Sequence, residues 1–228
     1  MGRTKQERLE LDAARVRSMR TFEDETAVRA LFGEDASPSI LQEETVYICG
    51  VDEAGRGPLA GPVAAAAVIL PPEHTIPFLN DSKKLSAAKR DELFDVIREE
   101  ALAYAVALVD AERIDKINIL QATYEAMRSA IAQLPVSPSV ILADAVTIPG
   151  ITIPQVPIVK GDAKCLSIAA ASILAKVTRD RLMEEYDAQY PGYGFAAHKG
   201  YGTAAHIEAL KAQGPSPIHR RTFLTHFL

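Results

Sequence analysis

The stretch Val46-Tyr-Ile-Cys-Gly-Val-Asp-Glu-Ala-Gly-Arg-Gly-Pro-Leu-Ala-Gly-Pro-Val-Ala-Ala-Ala-Ala-Val-Ile-Leu70 decides the fold. Two apolar runs, 46–51 and 62–70, flank a corner, Ala54-Gly-Arg-Gly-Pro58, that is rich in glycine. Short apolar runs joined by such a connection predict an antiparallel pair of strands. Asp52 and Glu53 end the first run, directly before the corner. Neighbouring side chains on a regular strand point to opposite faces. Both acids can therefore reach one site only if the strand bends or ends there, which Gly55 and Gly57 permit.

Outward from this hairpin, residues 86–100 read as a helix with Ser86 as N-cap, and 103–109 as a third strand. Ile117, Leu120, Tyr124, Met127, Ile131 and Leu134 recur at helical steps, and Pro135 and Pro138 end that helix. Residues 140–143 form a buried strand ending on Asp144, and 156–160 a fifth strand. An Ala- and Ser-rich helix runs from Asp162 to about residue 186, its small residues at 169–172 allowing close approach to a neighbouring backbone. A loop spans 187–203, and a short helix at 204–212 precedes the tail Gly214-Pro-Ser-Pro-Ile-His-Arg-Arg-Thr-Phe223. A hairpin followed by alternating helices and strands predicts an α/β fold with one mixed sheet of about five strands flanked by helices, and a C-terminal helical tail.

Residues 1–44 differ from the rest. They hold seven basic and ten acidic residues, weak helical spacing (Leu9, Ala13, Val16, then Val28, Leu31, Phe32) and a break at Ser37-Pro38-Ser39. The expected organisation is an N-terminal extension over 1–44, partly helical or disordered, a catalytic domain over 45–203 and a C-terminal helical segment over 204–228.

With 48% hydrophobic residues the chain can bury a sizeable core. The formal charge of −5 argues mildly against a nucleic-acid partner. Yet residues 160–181 contain Lys160, Lys164, Lys176, Arg179 and Arg181 against only Asp162 and Asp180, so a basic face remains open. Two cysteines, Cys49 and Cys165, require no oxidising compartment and lack metal-site spacing. The charged N-terminus lacks the apolar stretch of a signal peptide, and no run approaches the roughly 18 apolar residues of a membrane span. A soluble, cytoplasmic protein without membrane partners, and a monomer, is expected.

Acids at the ends of neighbouring strands can converge on one sheet edge, and Asp52, Glu53, Asp144 and Asp162 all stand at element ends. With no His or Cys beside them, such a cluster suits Mg²⁺ or Mn²⁺. Taken singly, Asp144 is more commonly a turn former and Asp162 a helix N-cap. Asp81 and Asp110 also close elements, so pattern alone goes no further than a hard-metal site of unspecified membership.

The run from Gly50 to Pro62 closely resembles the N-terminal catalytic signature of ribonuclease HII, of the type 2 ribonuclease H family. Further matches follow in the same order: Asp81-Ser-Lys-Lys-Leu-Ser86; Gly161-Asp-Ala-Lys164 with residues 167–180; Lys199-Gly-Tyr-Gly-Thr203; and the tail 214–223. The resemblance spans about residues 46–226 and implies a ribonuclease H-like fold. It implies an endoribonuclease acting on RNA–DNA hybrids and on ribonucleotide-containing duplex DNA, which it nicks 5′ to the ribonucleotide. The chemistry is two-metal-ion catalysis giving 5′-phosphate and 3′-hydroxyl ends, with Mg²⁺ or Mn²⁺ on Asp52, Glu53, Asp144 and Asp162. Asp144 rests on the shortest match, Ile-Leu-Ala-Asp-Ala, and Asp180, the rival acid, reads as a helix-surface partner of Arg179 or Arg181.

The same resemblance makes Gly55, Arg56 and Gly57 the sensor of the ribose 2′-hydroxyl and Tyr201 a ring packed on the sugar at the cleaved junction. Glycine admits close backbone approach, and the 2′-hydroxyl separates RNA from DNA. Lys83, Lys84, Lys164 and Lys176 are candidate phosphate contacts, with Lys84 and Lys164 taken as substrate-binding. Lys164 is favoured because a helix N-terminus beside it attracts anions. His219-Arg220-Arg221 reads as a charged tail patch without a catalytic histidine. Two rivals are ribonuclease HIII, whose N-terminal domain is larger than residues 1–44, and a non-catalytic nucleic-acid binding module of the same fold.

Overall fold

The predicted hairpin forms, with β1 at Ile48–Ala54 paired antiparallel to β2 at Val63–Ile69. The computed structural model describes residues 4–72 and 74–227, so the first three residues of the N-terminal extension lie outside it. β3 (Ala103–Val109) pairs antiparallel with β2. β4 (Val140–Asp144) joins the other side of β1 in parallel, and β5 (Gln155–Ile158) runs parallel to β4. The mixed sheet has the order β3-β2-β1-β4-β5.

Helices cover both faces, as the uniform burial of β2 requires. On one face α5 (Leu166–Gln189) crosses β1 and β2, and the backbones nearly touch. A Cβ on Gly50 would fall 2.1 Å from the Ser167 carbonyl carbon, so the Ala/Ser stripe and Gly50 make one close contact. α2 (Ala87–Glu100), capped by Ser86 accepting from the Lys89 N–H, packs beside α5. On the other face lie α3 (Ala111–Ile117) and α4 (Ile119–Ala132).

The stripe read as one helix over 117–134 is two. Asn118, at φ 67°, breaks it and then caps α4 by accepting from the Gln121 N–H. Leu120 consequently faces solvent, and Ala122, Ala126 and Ala130 join Met127 and Ile131 in the core. β5 stops two residues short of the expected end because Lys160 adopts left-handed geometry, at φ 57°. The following helix starts at Leu166, not Asp162; residues 161–163 form a single 3₁₀ turn.

Residues 5–32 form a continuous helix, α1 (Lys5–Phe32), opened by a capping box between Thr4 and Glu7. Its core face is Val16, Met19, Ala27 and Val28, while Leu9 and Phe32 are exposed. Buried Glu23 reaches the N-terminus of α5: its carboxylate accepts from the Leu166 and Ser167 N–H groups, each at 3.2 Å, and from the Ser167 hydroxyl. The orphan donors of α5 are thus satisfied from a distant helix. After α6 (Phe195–His198) and α7 (Ala204–Gln213), the tail returns to the first hairpin, where His219 bridges to Ala60. Among the described residues no helix is long and apolar enough to cross a membrane.

Candidate active site

β1 and β4 run parallel with Val51 opposite Ala143, which brings Asp52 level with Asp144 at the same end of the sheet. Both point to the face covered by α5: the Asp52 carboxylate is hydrogen-bonded by the Ser172 side chain of that helix. Asp144 Oδ1 accepts from the Gly161 N–H at 2.7 Å, tying β4 to the turn that carries Asp162. The strand does not end before Glu53, contrary to the condition set by its sequence position; the ladder with β2 continues through Ala54. Glu53 therefore lies on the opposite face, but two residues beyond Val51, the last residue of β1 paired with β4. At that edge it still feels Asp144. Edge position, not a bend, unites the adjacent pair.

The electrostatics follow from crowding. Burial pushes the Asp52 carboxyl well above the usual carboxylate range, with Glu53 and Asp144 adding to the effect. Burial also raises Glu53, an effect opposed by Arg56 at 3.4 Å. Asp162 is raised by burial, then by Asp81 and Asp144. Asp81 is thus a fifth acid at the edge; its side chain hydrogen-bonds Asp162 and caps the turn at Ser82–Lys84. Asp110, by contrast, serves as the N-cap of α3. Among the described residues no three Asp, Glu, His or Cys side chains are already gathered into a cage. Instead each acid makes a protein contact or repels its neighbours. Oxygen donors that are costly to ionise together fit a hard divalent cation, whose charge removes the penalty.

Several lysines and arginines stand elsewhere than expected. Lys83, and not Lys84, faces the acids: partial burial would lower its pKa, but Asp162, Asp52, Asp81 and Asp144 hold the ammonium above its ordinary range. Lys84 is exposed and 3.7 Å from Asp81. Lys164 precedes α5 instead of starting it, lies over the Phe22 ring, and the α5 N-terminus beside it is filled by Glu23. The reason for assigning Lys164 to phosphate therefore fails. Lys176 pairs with Asp180 at 2.7 Å, and Arg181 with Asp91, so Asp180 belongs to the helix surface, its ion pair made to Lys176 while its charge also acts on Arg179.

Arg179 and Arg220 are the residues most misread, since both are buried. Arg179 donates to the carbonyls of Pro62, Ala60 and Lys199. Arg220 donates to those of Gly61, Arg56 and Gly55. Two guanidiniums thus hold six inward-turned carbonyls, and the tail is no surface patch. Gly55 is required here: at φ +92°, a Cβ would fall 2.0 Å from Arg179 Nε. Because the peptides are trans, turning the Gly55 and Arg56 carbonyls inward turns the N–H groups of Arg56 and Gly57 outward. Both residues are exposed, as is Tyr201, and a Cβ on Gly57 would lie 3.7 Å from the Tyr201 ring. The glycine turn and the tyrosine share one surface. A cavity of roughly 560 Å³ between α1 and the start of β1 lies at the end of that strand opposite the acids.

The family model described as Ribonuclease HII matches residues 49–226. Ribonuclease HII of Lachnoclostridium phytofermentans is 59% identical over 209 residues, covering 89% of this chain and 82% of that protein. The Clostridioides difficile protein of the same description is 61% identical over 183 residues, covering 80% and 72%. The crystal structure of ribonuclease H2 from Pyrococcus horikoshii OT3 superposes with a TM-score of 0.66 at 29% identity, covering 80% of this chain and 99% of that one.

Proposed function

This chain belongs to the ribonuclease HII family and is a metal-dependent ribonuclease H acting on RNA–DNA hybrids, and we propose that it also nicks duplex DNA on the 5′ side of an embedded ribonucleotide. Asp52, Glu53, Asp144 and Asp162 would hold two Mg²⁺ or Mn²⁺ ions and leave 3′-hydroxyl and 5′-phosphate ends. When bound, such ions supply a nucleophilic water at neutral pH and charge for the departing oxygen.

The chain's own residues do the rest. The outward N–H groups of Arg56 and Gly57 can donate to a ribose 2′-hydroxyl, an interaction that a deoxyribose cannot accept. Tyr201, beside Gly57, packs on the adjoining sugar. Lys83 faces the acids and offers a charge to the scissile phosphate. The observation that carries the reading is the placement of the amide edge and the tyrosine on the exposed surface next to the acid edge, because it couples recognition of one sugar to cleavage at one phosphate. Residues 45–203 supply the acids, and the 204–228 segment supplies Arg220, so we treat the two as one working unit. Its occurrence as a monomer in the cytoplasm is part of the same proposal.

A labelled DNA duplex containing one ribonucleotide tests it. The expected product is a single divalent-metal-dependent nick 5′ to the ribonucleotide. Cleavage of a long hybrid with no nick in this duplex would refute the embedded-ribonucleotide reading.

A further inference from the structure

Two buried histidines join the C-terminal tail to the backbone of Tyr201, and the positions of their protons follow from their partners. The Ser216 N–H can only donate, and it lies 2.9 Å from His219 Nδ1. That nitrogen is therefore the acceptor, shared with the Ser216 hydroxyl at 2.8 Å, and the His219 proton resides on Nε2. His219 Nε2 stands 3.0 Å from His206 Nε2. With the first nitrogen donating, the second accepts, which places the His206 proton on Nδ1. His206 Nδ1 is 2.9 Å from the Tyr201 carbonyl, which can only accept. One tautomer of each ring satisfies all these contacts.

Both rings are buried, and a further proton on either would set two N–H groups head to head. His198 of α6 stacks on His206 with ring centroids 4.4 Å apart. Tyr193 packs on His219, and Arg221 follows in the tail. Burial first, and then His206, Arg221 and His198, press His219 down to about 4; burial and His198 also lower His206. The chain of bonds is held neutral. Its anchor is shared with the glycine turn, because Arg220 next to His219 holds the Gly55 and Arg56 carbonyls, and the Leu59 N–H donates to Gly200.

We propose that His219 and His206 are positioning residues that hold the Tyr201 carbonyl, and with it the Tyr201 ring, at a fixed height beside Gly57, setting the grip on the sugar at the cleaved junction. The proposal rests on the assignment of Tyr201 to the sugar made above.

Two measurements on the full chain decide it. Nitrogen-15 shifts of labelled histidines near pH 7.5 should show the Nδ1–H tautomer for His206 and the Nε2–H tautomer for His219. The reverse tautomers, or an imidazolium, overturn the proposal without any variant. In steady-state cleavage of an RNA–DNA hybrid, His206→Asn retains an N–H where Nδ1 stood, whereas His206→Leu fills the space without one. His206→Leu should raise KM roughly five- to tenfold, the worth of one ordinary hydrogen bond, with kcat changed by less than about twofold. His206→Asn should return KM to near wild type. Equal behaviour of the two variants, or a loss confined to kcat, overturns it. Tyr201→Ala separates the failures. If that variant leaves KM unchanged, the sugar-contact assignment itself falls and takes the proposal with it. If it raises KM while His206→Leu does not, only the histidine link fails.

Discussion

Asp52 is a residue whose charge is unfavourable for the fold and for which the proposed metal chemistry supplies the reason. Its carboxyl is buried against Glu53 and Asp144, so its proton is held to a higher pH in the folded chain than in the unfolded one. With a raised pKa, the native state binds more protons between the ordinary carboxylate value and the raised one, and stability falls as pH climbs through that window. At neutral pH an ionised Asp52 therefore opposes folding. Asp52→Asn should raise Tm by a few degrees in metal-free buffer, at about 2–4 °C per kcal/mol for a chain of this size. The same variant should lower hybrid cleavage by more than about a hundredfold, beyond the effect usual for an outer-shell partner. A scan with and without EDTA, beside a cleavage assay, checks both. Asp52 and Glu53 were legible in the sequence because a signature surrounds them. Arg179, Arg220 and His219 were not, because arginine is seldom fully buried and nothing local reveals partners that lie far away in sequence, such as the carbonyls of residues 55–62 for the two arginines and His206 for His219. Lys83 and Lys84 are neighbours, and only the fold says which one faces the acids.

At the scale of elements, the sheet was readable and the helix ends were not. Apolar runs located every strand to within two residues except the end of β1, which runs three residues past Val51 through the polar Asp52 and Glu53, since strand burial elsewhere is mostly continuous or cleanly alternating. α5 begins four residues late because its cap comes from Glu23 on α1, far away in sequence. α1 itself reads weakly because its core face mixes apolar residues with buried Arg20 and Glu23. Glu23→Ala would remove three hydrogen bonds at the end of the helix that lines the acid edge. A loss of roughly 2–3 kcal/mol is expected, or a fall in Tm of about 5–10 °C, with Glu23→Gln milder; calorimetry of the three chains gives the answer. The tail should impose an acid limit. His219, lowered from 6.5 to about 4, takes up its proton more readily when unfolded, so stability is fully present above about pH 6.5 and drains away toward pH 4. Urea midpoints across that range should fall less steeply in His219→Asn than in wild type, and parallel curves would show that His219 is not the group titrating.

For the molecule as a whole, the arrangement explains how a chain of charge −5 can act on a polyanion. Five of its thirty acids meet at one sheet edge, where bound divalent cations would reverse the local sign, and the proposed recognition surface is one of backbone amides and a tyrosine, with Lys83 as the ammonium facing the acids. The N-terminal helix and the tail brace this edge from two sides, through Glu23 and through Arg220. The central claim is that Asp52, Glu53, Asp144 and Asp162 act together as the metal site. Its most direct test is a Mn²⁺ titration, by calorimetry in the presence of a hybrid duplex, of wild type and the four single Asp→Asn or Glu→Gln variants, with Asp180→Asn as control. The account predicts two ions per wild-type chain, weakened binding in all four variants and none lost in the control. Unchanged binding in Asp52→Asn, or loss in Asp180→Asn, would contradict it.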